Sequence, residues 1–165
     1  HYLGRVQRNK VGKLAPFVDC WQSVGRLVEA EAIVRHADGT RPPEIFVEVN
    51  LERAPDRPGA APEDVPRLVT SATAAGCHVR GLMAVGALAG TRSGGGTLRF
   101  ELVTQLSQEL GLTERSIGMS DDLEAAVAAG TTMVRIGRAL FGERSRESPR
   151  APFEAGTMSL PEEDF

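Results

Sequence analysis

The residues best suited to chemistry lie near the end of the chain, in two short runs. One reads Ile117-Gly118-Met119-Ser120-Asp121-Asp122 and the other Val134-Arg135-Ile136-Gly137-Arg138-Ala139-Leu140-Phe141-Gly142. Both read as strand ends that open a helix. Unpaired N–H groups there sit at the positive end of a helix dipole and suit an anion, above all a phosphate. Ser120 could add a hydroxyl, and Gly137 lets backbone approach a phosphate with no Cβ in the way. The alternative is that Ser120 caps a helix and Gly137 only makes a turn. Arg135 is a charge inside an apolar strand of a parallel sheet, where both faces are covered and an unpaired charge is costly. It either pairs with a helix carboxylate or points at a ligand.

Other groups carry less. Asp121, Asp122 and Glu124 form an acidic run that suits a capping box, Asp121 with Glu124, better than an acid/base pair. Gly94-Gly95-Gly96 lacks the Lys and Ser/Thr that follow in a phosphate-binding P-loop, so it reads as a flexible link. Cys20 and Cys77 are far apart, and His1, His36 and His78 have no metal-ligand spacing. Lys10 and Lys13 are the only lysines among 19 basic residues.

Composition bounds the rest. A chain of 165 residues with 41% hydrophobic and 25% charged residues fits one globular domain. A net charge of -3 gives no general attraction to nucleic acid or anionic membrane. One Trp, one Tyr and six Phe leave little for stacking on bases. The longest uncharged apolar stretch, residues 81–90, is far short of the ~20 residues of a membrane-spanning helix. No secretory pattern opens the chain, so a reduced, cytoplasmic setting is expected. The sequence starts on His1, inside what reads as a strand, and further residues are expected upstream.

The elements that must position these groups alternate. Strands are expected at residues 1–4, 19–24, 44–50, 78–85, 115–120 and 132–137, and helices at 7–15, 27–37, 62–75, 98–110, 121–129 and from 138 to 142. Residues 51–62 and 86–97 are loops, and 143–165 a mobile, charged tail. Strict alternation means a parallel sheet covered by helices. The first turn, Gly4-Arg5-Val6-Gln7, lacks the Gly-rich fingerprint of an open dinucleotide-binding sheet. The fold expected is therefore α/β, an incomplete (β/α)8 TIM barrel with about six of eight β/α units, in which a phosphate site from the loops after the last two strands is common.

Several motifs carry a family resemblance. Residues 1–10, His1-Tyr2-Leu3-Gly4-x-x-Gln7-x-Asn9-Lys10, are similar to the H-F-I-G-x-L-Q-x-N-K stretch of the YggS/PROSC-type proteins. Val47-Glu48-Val49-Asn50 resembles their fifth strand, and Arg80-Gly81-Leu82-Met83-Ala84 their R-G-L-M-A strand. Residues 118–122 and 133–142 resemble G-M-S-x-D and M-V-R-I-G-x-x-I-F-G.

The resemblance implies a barrel of the alanine-racemase N-terminal-domain type over residues 1–142. It implies one pyridoxal 5′-phosphate at the mouth, and a role in vitamin B6 homeostasis as a non-catalytic carrier that serves pyridoxal-phosphate-dependent apo-enzymes. Ser120 and the backbone at Met119, Gly137 and Arg138 would hold the phosphate, and Arg135 would face the pyridine nitrogen. The family's Schiff-base lysine matches no residue here, since Lys10 and Lys13 fall on helix positions. Arg138 stands where a small hydroxyl residue is frequent, and Arg57-Pro58-Gly59 follows the family's K-x-G loosely. Two other readings remain open: a fold-related enzyme such as an amino-acid racemase, or an inactive fragment. A racemase would need a catalytic Tyr from a further domain, and Tyr2 is the single tyrosine.

Overall fold

Four short segments form the sheet: β1 (Cys20–Val24), β2 (Glu44–Glu48) and β3 (His78–Met83), which carry β-branched, aromatic or sulfur-bearing residues, and the polar β4 (Glu114–Ser116). The computed structural model describes residues 1–86, 95–119 and 121–142. The strands are all parallel and lie in sequence order, β1-β2-β3-β4. Parallel neighbours need a crossover connection. The helices α2 (Leu27–His36), α3 (Val65–Ala74) and α4 (Gly95–Glu109) supply them, while α1 (Arg8–Leu14) precedes β1 and α5 (Leu123–Ala128) and α6 (Arg138–Phe141) follow β4.

The outermost expected strands are reduced to single parallel bridges. Tyr2 bridges Trp21 beside β1, and Met133 bridges Ser116 beside β4. The backbone bonds are nonetheless regular, with Tyr2 N–H on the Cys20 carbonyl at 2.8 Å and Met133 N–H on the Arg115 carbonyl at 3.1 Å. Other bounds also shift. Residues 62–64 form a 3-10 turn ahead of α3: Pro66 has no N–H to give the Pro62 carbonyl, which takes the Val65 N–H instead. Helix α4 begins at Gly95, earlier than its Leu spacing predicts. Helix α5 is capped by Asp122, with no side-chain cap bond, so the expected Asp121–Glu124 capping box does not form. Gly94 and the tail 143–165 lie outside the described residues.

The sheet curls. Strands β1 and β4 are three steps apart, which in a flat sheet is ~14 Å. Yet Ser116 Oγ on β4 donates to Gln22 Oε1 on β1 at 2.6 Å, and Gln22 Nε2 contacts Met133 Sδ at 3.0 Å. Residues on the convex face, among them Trp21, Ile45, Val47, Val79 and Leu82, join the main core under the helices. The concave face carries three levels. At the N-terminal strand ends Arg80 bridges Glu44 (2.8 Å) and Glu114 (2.7 Å) and lies 5.9 Å from the Phe46 ring centre. In the middle, Cys20, Phe46 and Met83 cluster with Met133. At the C-terminal ends the polar residues Gln22, Ser116, Glu48 and Arg135 converge. Gly81 makes the β3–β4 pairing possible: a Cβ there would stand 2.0 Å from the Glu114 carbonyl oxygen. Among the described residues no helix is long and apolar enough to cross a membrane.

Candidate functional site at the C-terminal strand ends

Arg135 is built into the end of the sheet by its own backbone and by its side chain. Its N–H donates to the Gly118 carbonyl at 3.0 Å. Its Nη1 donates to the Ser116 carbonyl (2.5 Å) and to Ser116 Oγ (2.8 Å), and its Nη2 to the Ala84 carbonyl (2.8 Å). The guanidinium is thus seated on the last carbonyls of β4 and of the segment after β3. No described carboxylate forms an ion pair with it, so the helix-carboxylate alternative does not hold among the described residues. Burial pulls its pKa below the ordinary value, opposed by the charges of Glu48 and Asp122. The planar fork explains why an arginine suits this seat: its donors diverge in one plane and meet three acceptors at once.

The loop after β4 is shaped by two close approaches. Gly118 has φ +98°, and a Cβ on it would meet the Ala126 Cβ at 2.5 Å. Its glycine lets the loop lie flat on α5. Asp122 then reaches back, and its Oδ1 accepts the Met119 N–H at 2.5 Å. Gly86 permits this from the other side, since a Cβ there would meet Asp122 Oδ2 at 2.1 Å. The acidic run therefore divides its work: Asp122 orders the Met119 backbone, and Asp121 pairs with Arg138.

That Arg138–Asp121 pair ties the start of α6 to the loop after β4, bringing the two runs together. Gly137 caps α6, its carbonyl accepting the N–H groups of Leu140 (3.0 Å) and Phe141 (2.8 Å). A Cβ at Gly137 would meet nothing within 4 Å, so the space beside it is open. The Gly137 N–H has no partner among the described residues. Ser120 lies outside the described residues. Of the five expected site residues, the structure therefore brings together Met119, Arg135, Gly137 and Arg138. The Met119 N–H is engaged by Asp122, and the Arg138 side chain by Asp121.

Sequence reasoning missed three partners. Glu48 is 5% exposed at the end of β2, and burial raises its pKa above the usual carboxylate range. Gln22 and Ser116 are buried and bonded to one another across the concave face. The signal for Glu48 was present: a charge within Glu44-Ile45-Phe46-Val47-Glu48-Val49 is the same anomaly that singles out Arg135. Gln22 and Ser116 gave none, because their meeting depends on the curl of the sheet.

The chain resembles known proteins over most of its length. The family model described as "Alanine racemase, N-terminal domain" matches residues 1–145. The pyridoxal phosphate homeostasis protein of Pseudomonas aeruginosa is 37% identical over 155 residues, covering 90% of this chain and 66% of that protein. The chain thus spans about two thirds of the length of that curated relative. Among solved structures, PipY of Synechococcus elongatus without PLP has a TM-score of 0.74 at 32% identity, covering 85% of this chain and 69% of that one. The same protein with PLP bound has a TM-score of 0.72. Alanine racemase of Clostridium difficile aligns at a TM-score of 0.68 with 17% identity over 88% of this chain and 40% of that one, a likeness of fold alone.

Proposed function

Since the chain belongs to the alanine racemase N-terminal-domain family, in its YggS/PROSC-type branch, we propose that it binds pyridoxal 5′-phosphate and serves vitamin B6 homeostasis as a carrier. The curled parallel sheet is read as six of the eight β/α units of a (β/α)8 barrel, formed by residues 1–142, with 143–165 as an appended tail. Recipient apo-enzymes and a cytoplasmic setting belong to the same reading.

The observation that carries it is the seating of Arg135. Its guanidinium is fixed at the C-terminal strand ends two residues before Gly137, where a Cβ would meet open space. Gly137 and Arg138 would hold the phosphate and Arg135 the ring. The donor types suit the group: the Gly137 N–H beside open space for the phosphate and a guanidinium for the ring nitrogen, while Ser120, whose hydroxyl would join them, lies outside the described residues. When bound, the cofactor supplies a reactive aldehyde on an electron-withdrawing ring. Arg135 has donors and no acceptor, so a ring nitrogen facing it would be held as an acceptor, unprotonated. That would lower the ring's capacity to take up electrons and favour storage over turnover. Asp122 keeps the Met119 segment in place beside it.

A titration with pyridoxal 5′-phosphate, followed by borohydride reduction and intact mass, tests the reading. Saturable binding with no added mass is expected, because neither Lys10 nor Lys13 lies at the strand ends that form the mouth. A stoichiometric adduct on either lysine, or no binding at all, overturns it.

A further inference from the structure

A cavity of about 460 Å³ opens where β1 and β2 begin, at the far end of the strands from Arg135 and Gly137. That is the size range of small-molecule sites. Two turns frame it: the 3-10 turn at residues 15–17, which leads into β1, and residues 37–43, which lead from α2 into β2. Trp21 of β1 and Ile33 of α2, both buried, form its floor, and Phe17 and Pro43 stand in its walls. Gly12 lets α1 lie close on α2 beside it: a Cβ there would stand 3.1 Å from the His36 ring.

The polar group at the floor lacks a partner. Trp21 is 2% exposed. Its ring lies against Tyr2, with centroids 5.2 Å apart, yet its indole Nε1–H donates to no described residue. A buried indole N–H ordinarily finds an acceptor. Ser107 Oγ is the single described side-chain atom both enclosed and unpartnered, so the Trp21 Nε1 is not sealed in the core and opens on the cavity that Trp21 lines. The rim is acidic. Asp19 Oδ1 takes the Arg41 guanidinium at 2.7 Å, which balances that pair. Asp38 Oδ1 takes the Thr40 N–H and hydroxyl at 2.9 and 2.7 Å, and Asp38 forms no ion pair among the described residues. The last turn of α2, ending at His36, borders the same space, and a helix C-terminus favours positive charge. Phe17, 84% exposed, adds an open ring face.

We propose that this cavity takes an arylalkylamine, with an oxygen on its ring accepting the Trp21 N–H and its ammonium group at Asp38. The indole has a donor and no acceptor, so the ligand must bring the acceptor to the floor. The free charge at the rim is a carboxylate beside a helix C-terminus, so the ligand must bring a cation there. Between the two, Ile33, Pro43 and Phe17 present apolar surface that suits a flat ring, and the Phe17 face attracts an ammonium group. An anion would meet Asp38, and a wholly apolar molecule would bury the Trp21 N–H unmatched. The inference stands apart from the cofactor reading, because nothing in it uses Arg135, Gly137 or Arg138.

Trp21 is the only tryptophan of the chain, so its emission reports on this cavity directly. The test uses the full chain without added cofactor and tyramine as the probe, read by calorimetry and by Trp21 emission excited where phenols do not absorb. Phenethylamine lacks the ring oxygen, and para-hydroxyphenylpropionate carries a carboxylate in place of the ammonium group. Saturable tyramine binding with a shift in Trp21 emission is expected, with phenethylamine at least fivefold weaker and the carboxylate at least tenfold weaker. Asp38→Asn keeps Oδ1 for Thr40 and is expected to weaken tyramine at least threefold while the circular dichroism spectrum is unchanged. Trp21→Phe is expected to bind tyramine and phenethylamine alike, as read by calorimetry. Asp38 is exposed, so its variant keeps the test sound if Trp21→Phe misfolds. Absent tyramine binding, either control binding as well as tyramine, or an Asp38→Asn variant that binds normally would each overturn the proposal.

Discussion

Arg135 and Ser116 share two hydrogen bonds, one from Nη1 to the Ser116 carbonyl at 2.5 Å and one from the same nitrogen to Ser116 Oγ at 2.8 Å. The Ser116 hydroxyl accepts from Arg135 and donates to Gln22 Oε1 at 2.6 Å. Gln22 Nε2 in turn lies 2.7 Å from His1 Nδ1 and 3.0 Å from Met133 Sδ. One hydroxyl thus links the guanidinium to strand β1 on the far side of the curl. Ser116→Ala leaves Gln22 Oε1 buried without its donor and Arg135 one acceptor short. The expected cost is about 1–3 kcal/mol of stability. Chemical denaturation measures it, and a change under 0.5 kcal/mol would show the relay to be incidental.

Arg135→Lys keeps the charge and loses the fork. A lysine ammonium cannot meet the Ser116 and Ala84 carbonyls in one plane. Under the cofactor reading, affinity for pyridoxal 5′-phosphate falls at least tenfold while inorganic phosphate competes as before, since the phosphate end is untouched. Equal loss toward both ligands would show that Arg135 shapes the whole mouth rather than the ring end.

Glu48 makes stability depend on pH in a defined direction. Burial raises its pKa above the ordinary value of 4.5, with Arg135 opposing and Glu29 reinforcing the shift. The folded state therefore holds the proton more tightly than the unfolded state does. The group's contribution is fully present below pH 4.5 and is lost as pH rises through the folded-state pKa. Glu48→Gln removes this slope and raises the melting temperature at pH 7. Melting curves from pH 4 to pH 8 for both proteins check it.

The contrast between Glu48 and Ser116 marks how far the sequence could be read. Alternating apolar segments and their Gly and Pro boundaries are local signals, so the order of strands and helices is legible from them. Arg135 stood out because a charge in a buried strand needs a reason. The single-bridge outer strands were not legible, because pairing at residues 2 and 133 depends on neighbours rather than on their own β-branched content. The Asp121–Glu124 capping box failed for a similar reason. Asp121 is drawn to Arg138 across the loops, and Asp122 takes the cap position. The Gln22–Ser116 bond spans 94 residues and requires the curl, which no local pattern encodes.

Arg80 is the basic residue of the Arg80-Gly81-Leu82-Met83 strand, and its place is structural. It spans β2, β3 and β4 through Glu44 and Glu114, at the end of the sheet away from the mouth. Arg80→Ala leaves two half-buried carboxylates facing each other, at an expected cost of about 2 kcal/mol. Cofactor affinity measured under native conditions stays within about twofold of the parent, an effect below about 0.5 kcal/mol. A selective loss of binding with stability intact would place Arg80 in the site instead.

Cys20 and Cys77 have no part in this chemistry, and their burial says so. Both are free, enclosed thiols, and desolvation pushes each pKa up to about 11. At pH 8 the reactive thiolate is then scarce and shielded in the folded chain. A disulfide-exchange reagent is expected to modify neither cysteine on the timescale of minutes and both at once in denaturant. Their modification rate then reports opening of the fold. Cys20 lies in the concave cluster with Phe46, Met83 and Met133, while Cys77 packs between α2 and α3 next to Ala30. If the concave face opens before the outer core, Cys20 reacts first and the two rates separate. Mass spectrometry of partly labelled protein distinguishes that order from a single cooperative opening, in which both thiols react at one rate.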